Sequence, residues 1–275
     1  MSAEERQLLQ PGERLDDLLT HQLKIIQSPE LFSFSLDAVL LARFAAVPPK
    51  GRILDLCTGN GVIPMLLTTR TEATVDGIEI QPRLADMARR SVGINNLDKR
   101  IHIIEGDLRE WKPAGELYDT VTVNPPYLPV ASGDRKTNVH QAMARHEIGC
   151  KLEDVIAACA RSVKVGGRVA MVHRPSRMAD IVDLMRRYRL EPKRIRFVHP
   201  RRDAEANMIL IEGTRDGRPE VRLLPPLIVY EEDGEYTREL LAVFYGQAAA
   251  LPDFQRPNGR APAVKIKREG EEEPS

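Results

Sequence analysis

The chain has 275 residues, with 40 Lys and Arg against 40 Asp and Glu, so its formal net charge at pH 7 is +0. The length suits one large or two modest domains. The balanced charge excludes a chain that is basic throughout but leaves room for a local basic surface. No apolar run approaches the roughly 20 residues of a membrane-spanning helix, and the first residues lack the apolar segment of a signal peptide, which predicts a cytoplasmic protein.

Residues 1–50 are interpreted as an N-terminal extension. Leu23–Gln27 is strand-like, and Leu36–Phe44 has the pattern of a helix. Ser35 is the expected N-cap of that helix and Asp37 lies in its first turn, where a negative charge is favourable. The extension therefore ends with a helix immediately before the main domain.

Residues 51–217 are predicted to form one doubly wound α/β domain. The predicted strands are Arg52–Cys57, Thr74–Ile80, Ile101–Ile104, Asp119–Val123, Arg168–Val172 (after a turn at Gly166-Gly167), Ile195–Val198 and Met208–Glu212. The predicted helices are Val62–Thr69, one that starts at Pro82, Leu152–Val163 and Met178–Tyr188. Apolar strands separated by helices indicate a parallel sheet with helices on both faces. Because no helix separates the last two strands, we expect a seven-stranded, mostly parallel sheet with an antiparallel edge strand.

The remaining residues are predicted to form a short extension and a tail. Residues 218–250 contain a strand candidate, Leu227–Tyr230, and a helix candidate, Tyr236–Tyr245. Residues 251–275 are dominated by Pro, Gly and charged side chains. Such a composition buries too little apolar surface to fold, which predicts a disordered tail.

Acidic residues follow three predicted strands near a glycine-containing turn. The turn runs from Asp55 to Gly61, at the carboxyl end of a strand, where open α/β sheets bind ligands. It lacks the third glycine of the dinucleotide fingerprint, and the chain has no GxxxxGK[ST] motif. Glu79 ends the next strand and Asp107 follows the one after it. One carboxylate can accept the hydroxyls of a ribose and the other an adenine amino group, which predicts a site for adenosine without pyrophosphate.

This arrangement resembles that of class I S-adenosylmethionine-dependent methyltransferases. The resemblance implies a Rossmann-like fold and S-adenosylmethionine as the cofactor. It also implies that the turn lines the methionine part, with Asp55 near the amino group, while Glu79 holds the ribose and Asp107 faces the adenine. The cofactor residues expected on this basis are Asp37, Asp55, Thr58, Gly59, Asn60, Gly61, Glu79, Ile80, Asp107, Leu108 and Asn124.

The sequence Asn124-Pro125-Pro126-Tyr127 follows the fourth predicted strand of the domain. The two prolines fix φ and force the residues before them into an extended conformation. The Asn124 side chain and the Pro125 carbonyl can each accept one N–H bond from an amino group, and Tyr127 can stack on the ring that bears it. These four residues are the predicted catalytic residues for methylation of a planar amine, and no metal is expected at the site.

A dense group of basic side chains in residues 185–203 suggests an RNA substrate. Tyr188, Phe197 and His199 are interleaved with it, a combination that suits phosphates and unstacked bases. The alternative is a solvated protein face. Basic residues in 129–147 lie close to the proposed amine in sequence. The residues predicted to contact RNA are Arg135, Lys136, Arg145, Lys193, Arg194, Arg196 and Arg201.

Four segments together resemble the bacterial tRNA adenine-N6 methyltransferases: Phe32–Ala42, Asp55–Gly61, Asn124–Tyr127 and Arg145–Glu147. The resemblance covers most of residues 10–245. It implies methylation of the adenine beside the anticodon of valine tRNA, with tRNA as the partner. It also implies that the segment from Phe34 to Asp37 closes over the cofactor.

One residue departs from this family's pattern, and other functions stay open, among them another RNA amino-methyltransferase, because the motif Asn124–Tyr127 also resembles that of enzymes acting on guanine N2. Cys57 stands where relatives often have glycine, which suggests a tighter turn. A protein glutamine N5-methyltransferase would be expected to have a separate N-terminal helical domain, and residues 1–50 are short for one. A DNA adenine methyltransferase would usually carry a target-recognition insertion. A noncatalytic RNA-binding module would bind RNA without transferring a methyl group.

Overall fold

The computed structural model describes residues 7–29, 35–126 and 150–246. The strands in these ranges are β1 (Arg14–Asp17), β2 (Lys24–Gln27), β3 (Arg52–Leu56), β4 (Thr74–Glu79), β5 (Ile101–Glu105), β6 (Tyr118–Val123), β7 (Val163–His173), β8 (Leu190–His199), β9 (Met208–Arg215), β10 (Arg222–Leu223) and β11 (Leu227–Ile228). The helices are α1 (Leu36–Phe44), α2 (Val62–Thr68), α3 (Pro82–Ile94), α4 (Leu152–Ser162), α5 (Met178–Arg187) and α6 (Arg238–Phe244). None of the helices in these ranges combines the length and apolar character needed to cross a membrane.

One sheet contains all the strands from β3 onward. Its order is β10-β8-β9-β7-β6-β3-β4-β5, and β11 also pairs with β8. Neighbouring strands from β5 to β7 are parallel, whereas β9 runs antiparallel to both β7 and β8. The predicted α/β fold, mostly parallel with an antiparallel strand towards one edge, is confirmed. The seven predicted strands are β3 to β9, and two-residue strands extend the sheet beside β8.

Helices cover both faces of the sheet, because successive strand residues point to opposite sides. On β3, Ile53 belongs to the apolar cluster that contains α1 and α2, whereas Leu54 and Leu56 belong to the cluster that contains α4 and α5. Burial of these side chains supplies the main driving force for folding. Because the helices cover the two faces of the sheet, polar residues can lie at the ends of the strands.

Strand β7 contradicts the prediction of a turn before Arg168. The strand begins at Val163 and continues through the pair Gly166-Gly167. Its register against β6 shifts beside Asp119, and a Cβ atom on Gly167 would lie 2.9 Å from the Asp119 carbonyl oxygen. The glycine pair therefore permits a close approach and an irregularity inside one strand, and it does not end the strand.

The N-terminal segment forms the hairpin β1–β2, of which the sequence pattern predicts only β2. The hairpin packs along α3, where the Ile26 N–H donates to Ser91 Oγ at 3.0 Å. Lys24 and Asn95 exchange two hydrogen bonds of 2.9 and 2.7 Å. Long-range contacts, and not local propensity, therefore hold the hairpin in place.

Helix α1 has the predicted bounds and the predicted N-cap residue, Ser35, without a side-chain capping bond. Ser35 occupies the N-cap position without accepting a backbone hydrogen bond, because its hydroxyl donates to the Asp37 carboxylate. Asp37 Oδ1 also accepts the N–H of Ala38 at 2.8 Å. Ser35 is therefore the N-cap residue, as predicted, but its hydroxyl donates to Asp37 and does not cap a backbone N–H.

Arg194 fixes the other end of α1. Its guanidinium donates to the Phe44 carbonyl oxygen at 2.9 Å and lies over the Phe44 ring. It also donates to Glu212, a fully buried carboxylate that accepts the Ala46 N–H at 2.7 Å. A cation at a helix C-terminus is favourable. This contact network joins the end of α1 to β8 and β9.

Candidate active site

A cavity opens where the parallel strands β3, β4, β5 and β6 end. Seven of the residues predicted to bind the cofactor line it: Thr58, Gly59, Glu79, Ile80, Asp107, Leu108 and Asn124. Asn124 and Pro126 line the same cavity from the end of β6. The carboxyl ends of parallel strands lie at one edge of a sheet, so separate strands bring these residues together.

The turn after β3 is built on a left-handed backbone. Cys57 has a φ of 58°, Gly59 of 57° and Gly61 of 87°. A Cβ atom on Gly61 would lie 3.2 Å from Ala88 Cβ of α3, so glycine is needed there for close packing. Cys57 adopts a conformation that normally favours glycine, at a cost of about 1 kcal/mol or more. The cysteine at position 57, where relatives often have glycine, therefore strains the turn.

Asp55 holds this turn from below and is fully buried. Its carboxylate accepts the hydroxyl protons of Thr58 and Thr122, each at 2.6 Å. Burial raises the pKa of Asp55 to about 7, against the lowering effect of the two hydroxyl bonds, and the nearby Glu79 raises it further. Asp55 is not part of the cavity wall. Its described contacts are therefore those of a group that shapes the turn.

The raised pKa of Asp55 predicts a pH-dependent stability. Between the ordinary pKa of 3.8 and the folded-state value of about 7, the folded chain binds a proton that the unfolded chain does not. Stability contributed by this group therefore falls as the pH rises from about 4 to about 7. The variant Asp55→Asn lacks this titration, so its melting temperature relative to wild type should rise by roughly 5–10 °C between pH 5 and pH 8. Thermal denaturation followed by circular dichroism measures both proteins, and a pH-independent difference would contradict the expectation.

Glu79 joins the turn to the end of β4. One carboxylate oxygen accepts the Gly59 N–H at 2.8 Å and the other accepts the Gln81 N–H at 2.9 Å. Burial raises the pKa of Glu79, and these backbone bonds oppose the rise. Each oxygen keeps capacity for a further donor. The cavity therefore has an oriented carboxylate in its wall.

The neighbouring wall combines an apolar surface with a second carboxylate. Ile80 is 45% exposed and lies beside Glu79 in the sequence, while Leu108 is buried. Asp107 receives the Arg109 guanidinium Nε at 2.9 and 3.1 Å and the Arg109 N–H at 2.8 Å. Hydrogen bonding by Arg109 lowers the pKa of Asp107. A flat apolar ring with a polar edge suits these groups.

Three predicted cofactor residues, besides Asp55, are not in the cavity wall. The Asn60 side chain donates to the Ile26 carbonyl oxygen at 3.1 Å and so ties the turn to the hairpin. Gly61 packs on α3. Asp37 lies in the first turn of α1 and accepts the Ala38 N–H, and it is Ala38 that lines the cavity. The predicted residues Tyr127, Arg135, Lys136 and Arg145 lie outside the described ranges, as does the segment of residues 30–34.

Among the wall residues that were not predicted as site residues, Gln81 and Cys150 have side chains that can form hydrogen bonds. Gln81 lies two positions after Glu79 and immediately before the proline that starts α3. A polar residue between a strand end and a helix start is the signal that points to it. Cys150 is far from the other wall residues in sequence, and no local pattern indicates it.

The basic side chains of residues 185–203 are divided between the two ends of strand β8. Strand β8 has the same direction as β7, because both are antiparallel to β9. Arg186 and Lys193 therefore lie near the edge opposite the cavity, whereas Arg201 and Arg202 follow β8 at the cavity edge. Both of the latter are exposed.

Several of the basic side chains in this group already form ion pairs or hydrogen bonds within the protein. Arg186 lies 3.3 Å from Glu191, and Lys193 donates to the Arg218 carbonyl oxygen at 2.7 Å. Arg196 pairs with Glu239, and Arg194 belongs to the network at the end of α1. For these residues the described contacts favour the solvated or structural alternative over RNA contact. The described residues also contain no cluster of three or more potential metal ligands.

Sequence comparison identifies a family for the chain. The model of the methyltransferase small domain matches residues 22–179. A protein of Aeromonas salmonicida (strain A449) named tRNA1(Val) (adenine(37)-N6)-methyltransferase is 32% identical over 64% of this chain and 73% of its own length. A protein of the same name from Aeromonas hydrophila is 30% identical over 76% of this chain and 88% of its own.

Solved structures agree with the fold. A predicted O-methyltransferase from Agrobacterium tumefaciens has a TM-score of 0.62 and 26% identity, covering 78% of this chain and 98% of that one. A geranyl diphosphate methyltransferase, 16% identical with a TM-score of 0.51, shares the fold over 65% of this chain and 77% of its own. The family resemblance expected from the sequence is confirmed. The chain belongs to the methyltransferase small domain family and to that of the tRNA1(Val) (adenine(37)-N6)-methyltransferases, and it is an S-adenosylmethionine-dependent methyltransferase.

Proposed function

We propose that this protein methylates N6 of an adenine in tRNA, at the position beside the anticodon of valine tRNA that its relatives' name specifies. The observation that carries the proposal is that Asn124 and Pro126 lie in the wall of the same cavity as Glu79 and Asp107. The residues proposed to bind the amine and those proposed to bind adenosine thus line one cavity.

The described residues fit the donor. Glu79 offers carboxylate oxygens, already oriented by two backbone N–H groups, to the ribose hydroxyls. Ile80 and Leu108 offer an apolar surface to the adenine ring, and Asp107 an acceptor to its amino group. Thr58 and Gly59 line the part of the cavity nearest the turn. The bound cofactor supplies a methyl group on a positively charged sulfur, which is the electrophile.

Asn124 and the prolines act on the other reactant. The Asn124 side-chain oxygen and the Pro125 carbonyl oxygen each accept an N–H bond from the target amine, which fixes its direction and leaves its nitrogen facing the donor. Pro125 is buried, and the two prolines restrict the backbone, so the turn is rigid before substrate binds. Catalysis then comes from alignment and from stabilising the positive charge that develops on nitrogen. The proton leaves after attack, so no base is needed beforehand.

The loop between β8 and β9 is the proposed RNA surface among the described residues. Asn124 follows β6, and the strands from β6 through β7 and β9 to β8 span three strand spacings, about 14 Å. The exposed Arg201 and Arg202 are therefore close enough for phosphates that flank a base in the cavity. Of the basic residues in the described ranges that were predicted to contact RNA, only Arg201 is still proposed to do so.

This surface gives a prediction about salt dependence. The double variant Arg201→Ala and Arg202→Ala should bind tRNA several-fold more weakly and reduce the slope of log K against log salt concentration by about one per lost phosphate contact. Binding is measured by filter retention or fluorescence anisotropy at four or more salt concentrations. The matched control is Arg186→Ala with Arg187→Ala at the opposite edge, which should leave the slope unchanged. An equal loss in the control would contradict the proposed surface.

The function itself is tested with labelled donor. The purified protein is incubated with methyl-labelled S-adenosylmethionine and unmodified total tRNA, and the product nucleosides are separated. We expect N6-methyladenosine, located next to the anticodon in valine tRNA. Label on a protein glutamine or on DNA, with none on tRNA, would replace the proposal by one of those functions. RNA binding that is unchanged in Asn124→Ala, without any transfer, would indicate a noncatalytic module.

A further inference from the structure

Gln81 is a buried amide in the cavity wall whose side chain has no partner in the described protein. The residue is only 8% exposed and lies in the wall between Ile80 and Leu84. It occupies the N-cap position of α3, yet its side chain makes no capping hydrogen bond. Only its main-chain groups are engaged in the described structure, through Glu79 and Ala85. Gln81 is not among the residues whose unpartnered side-chain atoms are completely buried, so its amide remains open to the cavity, and a molecule bound there can supply the partner.

The partner is indicated by the neighbouring carboxylate. The Gln81 N–H donates to Glu79 Oε1 at 2.9 Å, so the two residues are held side by side. A carboxylate only accepts hydrogen bonds, so it can take the hydrogens of ribose hydroxyls but can give nothing to their oxygens. A glutamine amide carries two N–H donors and no charge. Glu79 and Gln81 together can therefore satisfy a hydroxyl as both donor and acceptor.

We propose that Gln81 is a second ribose-binding residue of the donor site. Its side-chain N–H donates to the oxygen of a hydroxyl whose hydrogen Glu79 accepts. The pair makes the site selective for ribose over deoxyribose, because a deoxy sugar removes the hydrogen bond to the Gln81 amide and leaves Glu79 with only its two backbone donors. The inference concerns the donor alone and is independent of which nucleic acid is methylated.

The test is a binding cycle between ligand and protein. Isothermal titration calorimetry measures the affinity of S-adenosylhomocysteine and its 2′-deoxy and 3′-deoxy counterparts for the wild type and for Gln81→Met, which has similar volume. In the wild type both deoxy ligands should bind more weakly. In Gln81→Met the preference for ribose over at least one deoxy ligand should shrink about threefold to tenfold. Gln10→Met, which removes a surface amide that donates to Asp86, is the control and should keep the wild-type preference.

The measured preference separates contact from structure. If Gln81 only supported the fold, Gln81→Met would weaken all three ligands by the same factor and leave the preference unchanged, which would overturn the proposal. Gln81→Glu provides a second variant if the first does not fold, because its side chain keeps the shape but loses the donors, and it should show the same shrinkage. Failure of the wild type to bind S-adenosylhomocysteine would instead contradict the donor site itself.

Discussion

Replacing Asn124 with alanine is expected to reduce methyl transfer to tRNA by about 10²–10³-fold, the usual cost of losing one oriented polar group at a reacting centre. The substitution removes the side-chain oxygen that accepts an N–H bond from the target amine. The amine can then rotate, and the developing charge on nitrogen loses one of its two proposed acceptors. Single-turnover transfer from labelled S-adenosylmethionine measures the rate.

Two measurements distinguish this effect from damage to the fold. The affinity for S-adenosylhomocysteine should fall far less than the transfer rate and the melting temperature should stay near the wild-type value, because the wall formed by Glu79 and Asp107 is unchanged. Asn124→Asp keeps an acceptor oxygen and should retain more activity than the alanine variant. Transfer at the wild-type rate by Asn124→Ala would remove Asn124 from the catalytic role.

Replacing Glu79 with alanine should weaken S-adenosylhomocysteine binding by about 100-fold or more, since hydrogen bonds to a charged group contribute about 1.5–3 kcal/mol each. The change also deprives the N–H groups of Gly59 and Gln81 of their acceptor. We therefore expect a lower melting temperature together with the loss of affinity. Calorimetric titration and thermal denaturation on the same preparation measure both effects.

A neighbouring strand supplies the control for this variant. Glu105 ends β5 and pairs in register with Glu79, but it is exposed and is not part of the cavity wall. Glu105→Ala should therefore leave the affinity for S-adenosylhomocysteine unchanged. Comparable weakening in both variants would show that the loss reflects general negative charge at this edge and not a specific contact.

Much of the central sheet can be predicted from the sequence because its strands are apolar on both faces. The runs that form β3 and β4 are bounded by a turn and by Pro82, which marks the start of α3. Hairpin strand β1 has no such signal, since Arg14–Asp17 contains a single apolar residue. Its position depends on distant contacts, among them the pair between Glu13 and Arg90 at 2.6 Å. Local patterns contain no information about such a pairing.

In the site, too, some features follow from local sequence patterns and others depend on distant contacts. Glu79, Asp107 and Asn124 are predicted to converge because each follows a parallel strand, and all three line the cavity. The burial of Asp55 beneath the turn depends on the hydroxyl of Thr122, which is 67 positions away in sequence. The separation of Arg186 from Arg201 depends on the direction of β8, which adjacency in the sequence does not reveal.

The reversed direction of β9 has a consequence for how such enzymes diversify. A parallel strand in its place would need a crossover connection. Because β8 and β9 are antiparallel, the loop between them lies at the end of the sheet where the cavity opens. Surface connections tolerate insertion and exchange far better than the elements that they join. Changes in this one loop can thus alter which nucleic acid is recognised. The donor site, in the other half of the sheet, stays unchanged.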